Sequence, residues 1–149
     1  MTLQTGCELC ALLAGAAVPV WRDAQLTVVL VDEAAYPGFC RVIWNRHVKE
    51  MSDLAAAERA TLLAAVWQVE LAVRDVMAPE KINLASLGNM TPHLHWHVIP
   101  RYLDDVHFPD PVWAVARRTP AAATLAARAA LLPQLRAAIA ARLAACYSI

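Results

Sequence analysis

The segment His93-Leu94-His95-Trp96-His97-Val98-Ile99-Pro100 constrains the fold more than any other stretch of this chain. Histidine alternates with large apolar residues, and a period of two belongs to a β-strand, not a helix. On a strand, Leu94, Trp96 and Val98 enter a core. His93, His95 and His97 then stand on the opposite face, about 6.5–7 Å apart along the chain. Three of the five histidines fall here. Pro100 has no N–H to give a ladder, so the strand is expected to close there.

Around this strand the sequence reads as a meander, a helix and a hairpin. Residues 20–22, 26–31 and 39–44 have strand character, and Tyr36-Pro37-Gly38 is a type II turn signal. Ser52 or Asp53 is placed to cap a helix with Glu58 near its start. Leu62, Val66, Val69, Val73 and Val76 recur at helical spacing as far as Met77, ahead of Pro79. Residues 81–86 alternate polar and apolar as a fourth strand, and the short loop 87–92 joins it to the histidine strand. Residues 103–113 read as an irregular loop. Thr119-Pro120 reads as an N-cap and first helical position. After Pro133 a second helical piece carries a thin stripe of Leu135, Ile139 and Leu143, which needs packing to hold it.

With 149 residues and thirteen basic against thirteen acidic side chains, the expectation is a neutral single domain. Zero net charge argues against a broad surface for nucleic acid or anionic lipid, though not against a small phosphate pocket. No uninterrupted apolar run reaches the roughly 20 residues of a membrane span. The first residues lack the basic-then-apolar order of a signal peptide. Four cysteines, two of them as Cys7-x-x-Cys10, suit a reducing compartment better than a disulfide framework. A cytoplasmic protein without nucleic-acid or membrane partners is expected.

Three chemistries compete for the histidine row. Buried structural imidazoles would each need a partner on one crowded face. A metal-dependent enzyme could use the row as ligands, since His-x-His on one face is a workable pair, but Asp104 and Asp105 lie beyond the strand end. Alternatively, one neutral imidazole attacks phosphorus while its neighbours bind the phosphoryl oxygens. Asn83 on the adjacent strand and Asn89 in the loop would supply further donors. Cys7 and Cys10 are half a metal site, a redox pair or a coincidence.

His93 to Ile99, together with the order of elements over about residues 7–102, resembles the histidine triad (HIT) superfamily, in its bacterial diadenosine-polyphosphate hydrolase-like branch. The resemblance implies an α+β fold: a half-barrel of antiparallel strands with one long helix, usually a homodimer, acting on nucleoside polyphosphates or phosphoramidates. Residues 1–113 would be the HIT domain and 114–149 an alanine-rich helical extension packed on the same domain or dimer. His95 would be the nucleophile that forms a nucleotidyl-histidine intermediate, and His97 would contact the α-phosphate. Asp32 would bind the ribose hydroxyls, and Asn83 and Asn89 the phosphate. Cys7, Cys10, His47 and His93 match a zinc set of some bacterial members. Two thiolates and two imidazoles close a tetrahedron, so that zinc would be structural, with no catalytic cofactor. The chain also departs from the pattern. The loop between Asn83 and His93 is shorter than the common Gly-rich version, and Met90 stands where many members carry a Ser or Thr that helps the leaving group. These departures leave open the leaving group, and a non-catalytic or weakly catalytic nucleotide-binding dimer as the alternative.

Overall fold

The computed structural model describes residues 3–15 and 18–146. Residues 1–2 of the N-terminal segment and 147–149 of the expected extension lie outside the described residues. Five antiparallel strands form one sheet: β1 (Trp21–Arg22), β2 (Leu26–Leu30), β3 (Cys40–Trp44), β4 (Lys81–Ala85) and β5 (His95–Arg101), in the order β1-β2-β3-β5-β4. The helices are α1 (Glu8–Ala14), α2 (Ala56–Met77), α3 (Ala122–Ala129) and α4 (Leu132–Cys146). The first three strands make the expected meander, and the β4–β5 hairpin docks through β5 onto β3. The turn into β3 is the one the sequence calls for. The Phe39 N–H donates to the Tyr36 carbonyl (3.1 Å), and Gly38 takes φ +92°, which an L side chain rarely adopts.

Register divides the side chains between two faces. Leu30, Cys40, Val98 and Leu84 form one cross-sheet row, and Val28, Val42 and Trp96 another. This face meets α2 through Leu62, Val66, Val69 and Val73, and α4 through Leu135, Ile139 and Leu143. Leu94 and Val98 are in that core and Trp96 packs against it, as the alternation requires. Each fully buried leucine contributes about 1.5–3 kcal/mol, so three buried positions hold a helix whose other residues are mostly alanine. The opposite face carries Val29, Arg41, His97 and Ala85 in one row and Thr27, Ile43 and His95 in the next. Helix α1 covers part of it, packing Leu9 and Leu13 on Val29 and Ile43.

Several sequence expectations are corrected. The strand begins at His95, so His93 precedes it, and Pro100 lies inside it opposite Ile82 instead of closing it. Pairing with β3 ends at Val98, so at Pro100 the strand has a neighbour on one side only, where a missing N–H is tolerated. Ser52 and Asp53 do not cap α2. They form a 3₁₀ turn, Met51–Asp53, in which the Asp53 carboxylate accepts from the Lys49 and Glu50 N–H groups. The N-cap of α2 is Ala55, whose N–H donates to Glu58 (2.8 Å). Thr119-Pro120 precede α3, whose N-cap is Ala121. Finally, Ala122–Cys146 is long and apolar enough to cross a membrane by length and composition, with a mean hydropathy of 1.2. Its Leu135, Ile139 and Leu143 stripe is in the protein core.

Candidate functional site

Four metal-type donors meet at one end of the sheet. Cys7 caps α1, its Sγ accepting from the Cys10 N–H, so a single turn presents both thiols together. His47 leaves β3 and His93 enters β5 at the same end of that antiparallel pair. His93 Nδ1 lies 3.4 Å from Cys7 Sγ and 3.5 Å from Cys10 Sγ, and His47 Nδ1 lies 3.4 Å from Cys10 Sγ. Sulfur and nitrogen bound tetrahedrally to one zinc at ~2.3 and ~2.0 Å stand about 3.5 Å apart. The His93 Nε2–H donates to the Trp44 carbonyl (2.6 Å), which leaves the Nδ1 lone pair facing the sulfurs. Burial pushes the Cys10 thiol above its ordinary pKa, and a cation would reverse that. These residues fit zinc, and all four positions are taken by protein. Among the described residues this is the one group of three or more His, Cys, Asp or Glu donors close enough to share a metal.

His95 is held differently. Its Nδ1–H donates to the carbonyl of His93 (2.5 Å), so the Nε2 lone pair is left for chemistry. Burial lowers its pKa, the bond to His93 opposes this, and the Arg41 charge lowers it further, so the ring is neutral near pH 7. Burial, then the His95 ring and Arg41, bring His97 down to about 4. The two rings meet edge-on at 4.8 Å, with Phe39 5.5 Å and Trp113 5.1 Å from His97. The Ser86 hydroxyl donates to the His95 carbonyl (2.9 Å) and ties the hairpin loop to the strand.

Asn83, opposite Ile99, shares the face of His97. Arg101 Nη1 donates to its Oδ1 (2.7 Å), which turns the amide so that its NH₂ has no partner among the described residues. Arg101 is itself anchored on buried Asp105, through Nε (2.7 Å) and Nη2 (3.1 Å). Asp105 also accepts from the N–H groups of Tyr102, His107 and Phe108 and from the Tyr36 hydroxyl. Burial would raise its pKa, but Arg101 and the backbone donors outweigh that and hold it at about 2. This network fixes the loop that brings Trp113 onto His97. In the sequence Asp105 reads only as a residue beyond the strand end, and nothing marks Arg101 as its partner. Their i,i+4 spacing is the available signal, and it runs from the last residue of β5 into an irregular loop.

The other expected residues stand apart. Asp32 is exposed at the end of β2 and lines a groove of about 440 Å³ with Leu125, Ala129 and Leu132 of the C-terminal segment. Asn89 is exposed in the hairpin loop, and Met90 is 95% exposed. Asn83, Arg101 and Trp113 border a cleft of about 860 Å³ that continues along the β4 edge to Glu70 and Arg74 of α2.

Comparison with known proteins now adds to this geometry. The family model for the HIT domain matches residues 16–104. A Mycobacterium tuberculosis protein named AP-4-A phosphorylase is 32% identical over 106 residues, 61% of this chain and 54% of its own length. The Schizosaccharomyces pombe bis(5'-nucleosyl)-tetraphosphatase (asymmetrical) is 28% identical over 101 residues, 64% of this chain and 56% of its own. The chain therefore spans about half the length of these curated relatives. Among solved structures, a histidine triad protein from Bradyrhizobium japonicum superimposes with a TM-score of 0.68 at 28% identity, covering 82% of this chain and 90% of that one.

Proposed function

The chain belongs to the HIT domain family, and from that membership we propose that it is a nucleotide hydrolase or transferase working at the α-phosphate of a nucleoside polyphosphate or phosphoramidate. The observation that carries this reading is the bond from His95 Nδ1–H to the His93 carbonyl. It presents a neutral imidazole with one free lone pair. That lone pair on Nε2 attacks the α-phosphorus, a P–N bond forms, and the bond to the leaving phosphate or amine breaks. Water, or phosphate as acceptor, then cleaves the P–N bond and frees the histidine. The names of the two curated relatives, one a phosphorylase and one a tetraphosphatase, support both acceptors.

In this reading His97 and the Asn83 amide bind the α-phosphate, with Asn89 contributing from the loop. Asp32 takes the ribose hydroxyls. The Cys7, Cys10, His47 and His93 donors hold a structural zinc, which when bound fixes the end of the sheet next to the nucleophile. Residues 1–113 form the HIT unit and 114–149 an extension, which α4 joins to the same core. Cys7, Cys10, Cys40 and Cys146, none of them in a disulfide, support a reducing cytoplasm.

A homodimer is proposed along the β4 edge. In the row Leu30–Cys40–Val98–Leu84, Leu30 is half-buried, Cys40 and Val98 are fully buried, and Leu84 at the sheet edge is 46% exposed. Leu63, Trp67, Glu70 and Arg74 follow helical spacing on α2, so exposed Leu63 and Trp67 extend the face that borders β4. An open strand edge flanked by apolar side chains is a template for a second chain.

The test is His95→Ala assayed on diadenosine tetraphosphate and on an adenylated amine. Turnover is lost while the melting temperature stays within a few degrees; undiminished turnover refutes the reading. The exposure of Met90 favours a second reading, a nucleotide-binding protein without turnover, because position 90 offers no hydroxyl to a leaving group. Tight nucleotide binding with no turnover by the wild-type chain would select it.

A further inference from the structure

Arg41 is a cation that the sheet places directly beside the catalytic face and that forms no ion pair among the described residues. It lies on β3 directly opposite His97, between that residue and Val29. Its Nε is buried, and among the described residues nothing hydrogen-bonds to it. Among the described residues no carboxylate lies within ion-pair distance of it, and the acid whose charge reaches it is Glu8, exposed at the start of α1. The guanidinium is close enough to His95 and His97 for its charge to act on both rings. A buried guanidinium N–H left unpaired costs free energy, and the groups around it supply no acceptor. The missing acceptor is what a ligand would bring.

We infer that Arg41 binds the anionic phosphoryl chain beyond the α-phosphate, and so makes the site selective for nucleoside polyphosphates over phosphoramidates. This rests on the proposed attack by His95. As Nε2 bonds to the α-phosphorus, the electron pair of the breaking P–O bond moves onto the bridging oxygen of the departing phosphate. That oxygen gains negative charge and needs no proton. A fixed guanidinium, planar and always charged, stabilises it as it forms. A departing amine is different. Its nitrogen must take up a proton, and a guanidinium cannot give one near neutral pH. Met90 points into solvent and cannot give one either.

The test compares wild type with Arg41→Gln and Arg41→Lys on diadenosine tetraphosphate and on adenosine 5'-phosphoramidate. Wild type has the higher kcat/KM on the tetraphosphate. In Arg41→Gln the tetraphosphate-to-phosphoramidate ratio of kcat/KM falls by about 100-fold, the scale of removing one donor to a developing anion. Arg41→Lys recovers part of it. Equal losses on both substrates, or no loss, overturn the inference. Binding is measured separately by calorimetry with ATP and AMP. The ATP-to-AMP affinity ratio falls at least about tenfold in Arg41→Gln, and an unchanged ratio also overturns the inference. Loss of turnover by wild type with an intact ATP preference would instead count against the His95 reading and leave the Arg41 assignment standing.

Discussion

The Nδ1–H of His95 donates to the carbonyl oxygen of His93 at 2.5 Å, while the His93 ring faces the thiols of Cys7 and Cys10. One residue therefore belongs to two sites. Its side chain stands among the four metal-type donors and its backbone carbonyl orients the His95 ring. Three alternating histidines are divided between a cluster at the strand entrance and a pair of rings in edge-on contact on the strand itself.

A metal measurement follows from this division. Elemental analysis of the purified chain is expected to find about one zinc per chain, and Cys10→Ser to lose it. The melting temperature falls in the variant and in chelator-treated wild type. A zinc-free chain with an unchanged melting temperature would contradict the assignment. If the row itself held a catalytic metal, chelation would abolish turnover at temperatures where the fold is intact.

The buried Arg101–Asp105 pair predicts acid sensitivity. The Asp105 carboxyl sits at about 2 in the fold against an ordinary 3.8. Its contribution to stability is complete above about pH 4 and is lost as pH falls through 2, because only the folded state resists protonation there. Asp105→Asn leaves Arg101 buried and unpaired, with an expected loss of about 3–5 kcal/mol. Urea unfolding at pH 7 and pH 3 measures both. A variant as stable as wild type at pH 7 would show that the network does not hold the loop.

Trp113 offers a separate check on the environment of His97. Burial is the main reason that this ring sits near 4, and Trp113 is one of the groups shielding it. Trp113→Ala should move the His97 titration upward toward the ordinary value near 6.5. Histidine NMR titration reads this directly, and an unchanged or lower value would mean that other groups do the shielding.

For assembly, Leu84→Arg combined with Trp67→Glu should convert a dimer to a monomer in analytical ultracentrifugation. A wild-type chain that sediments as a monomer at micromolar concentration would exclude the β4 edge as the interface.

Much of this was legible in the sequence, because period-two alternation and turn chemistry are local. The meander, the Tyr36-Pro37-Gly38 turn, the α2 stripe and the inward set Leu94, Trp96 and Val98 all follow from neighbours along the chain. Local rules failed at boundaries. Pro100 stays in the strand because β3 has already ended beside it, a fact of register that no single strand reveals. Ser52 and Asp53 look like caps for α2, but they lie in a short turn that precedes it, where only the Asp53 side chain has a capping role. In the site, Cys7, Cys10, His47 and His93 came from a family resemblance, and the structure brings their donor atoms within 4.8 Å of one another. Arg41 was invisible because nothing on β3 marks its importance. Only the register opposite His97 and the unpaired Nε single it out.

The most direct test of the whole account is to trap the adduct. The wild-type chain is mixed briefly with diadenosine tetraphosphate, quenched under conditions that spare phosphorus–nitrogen bonds, and analysed by intact and peptide mass spectrometry. The account predicts a mass increase of one nucleoside monophosphate, localised to His95 and absent from His95→Ala. Turnover by the wild type with no such adduct, or an adduct on another residue, would contradict it.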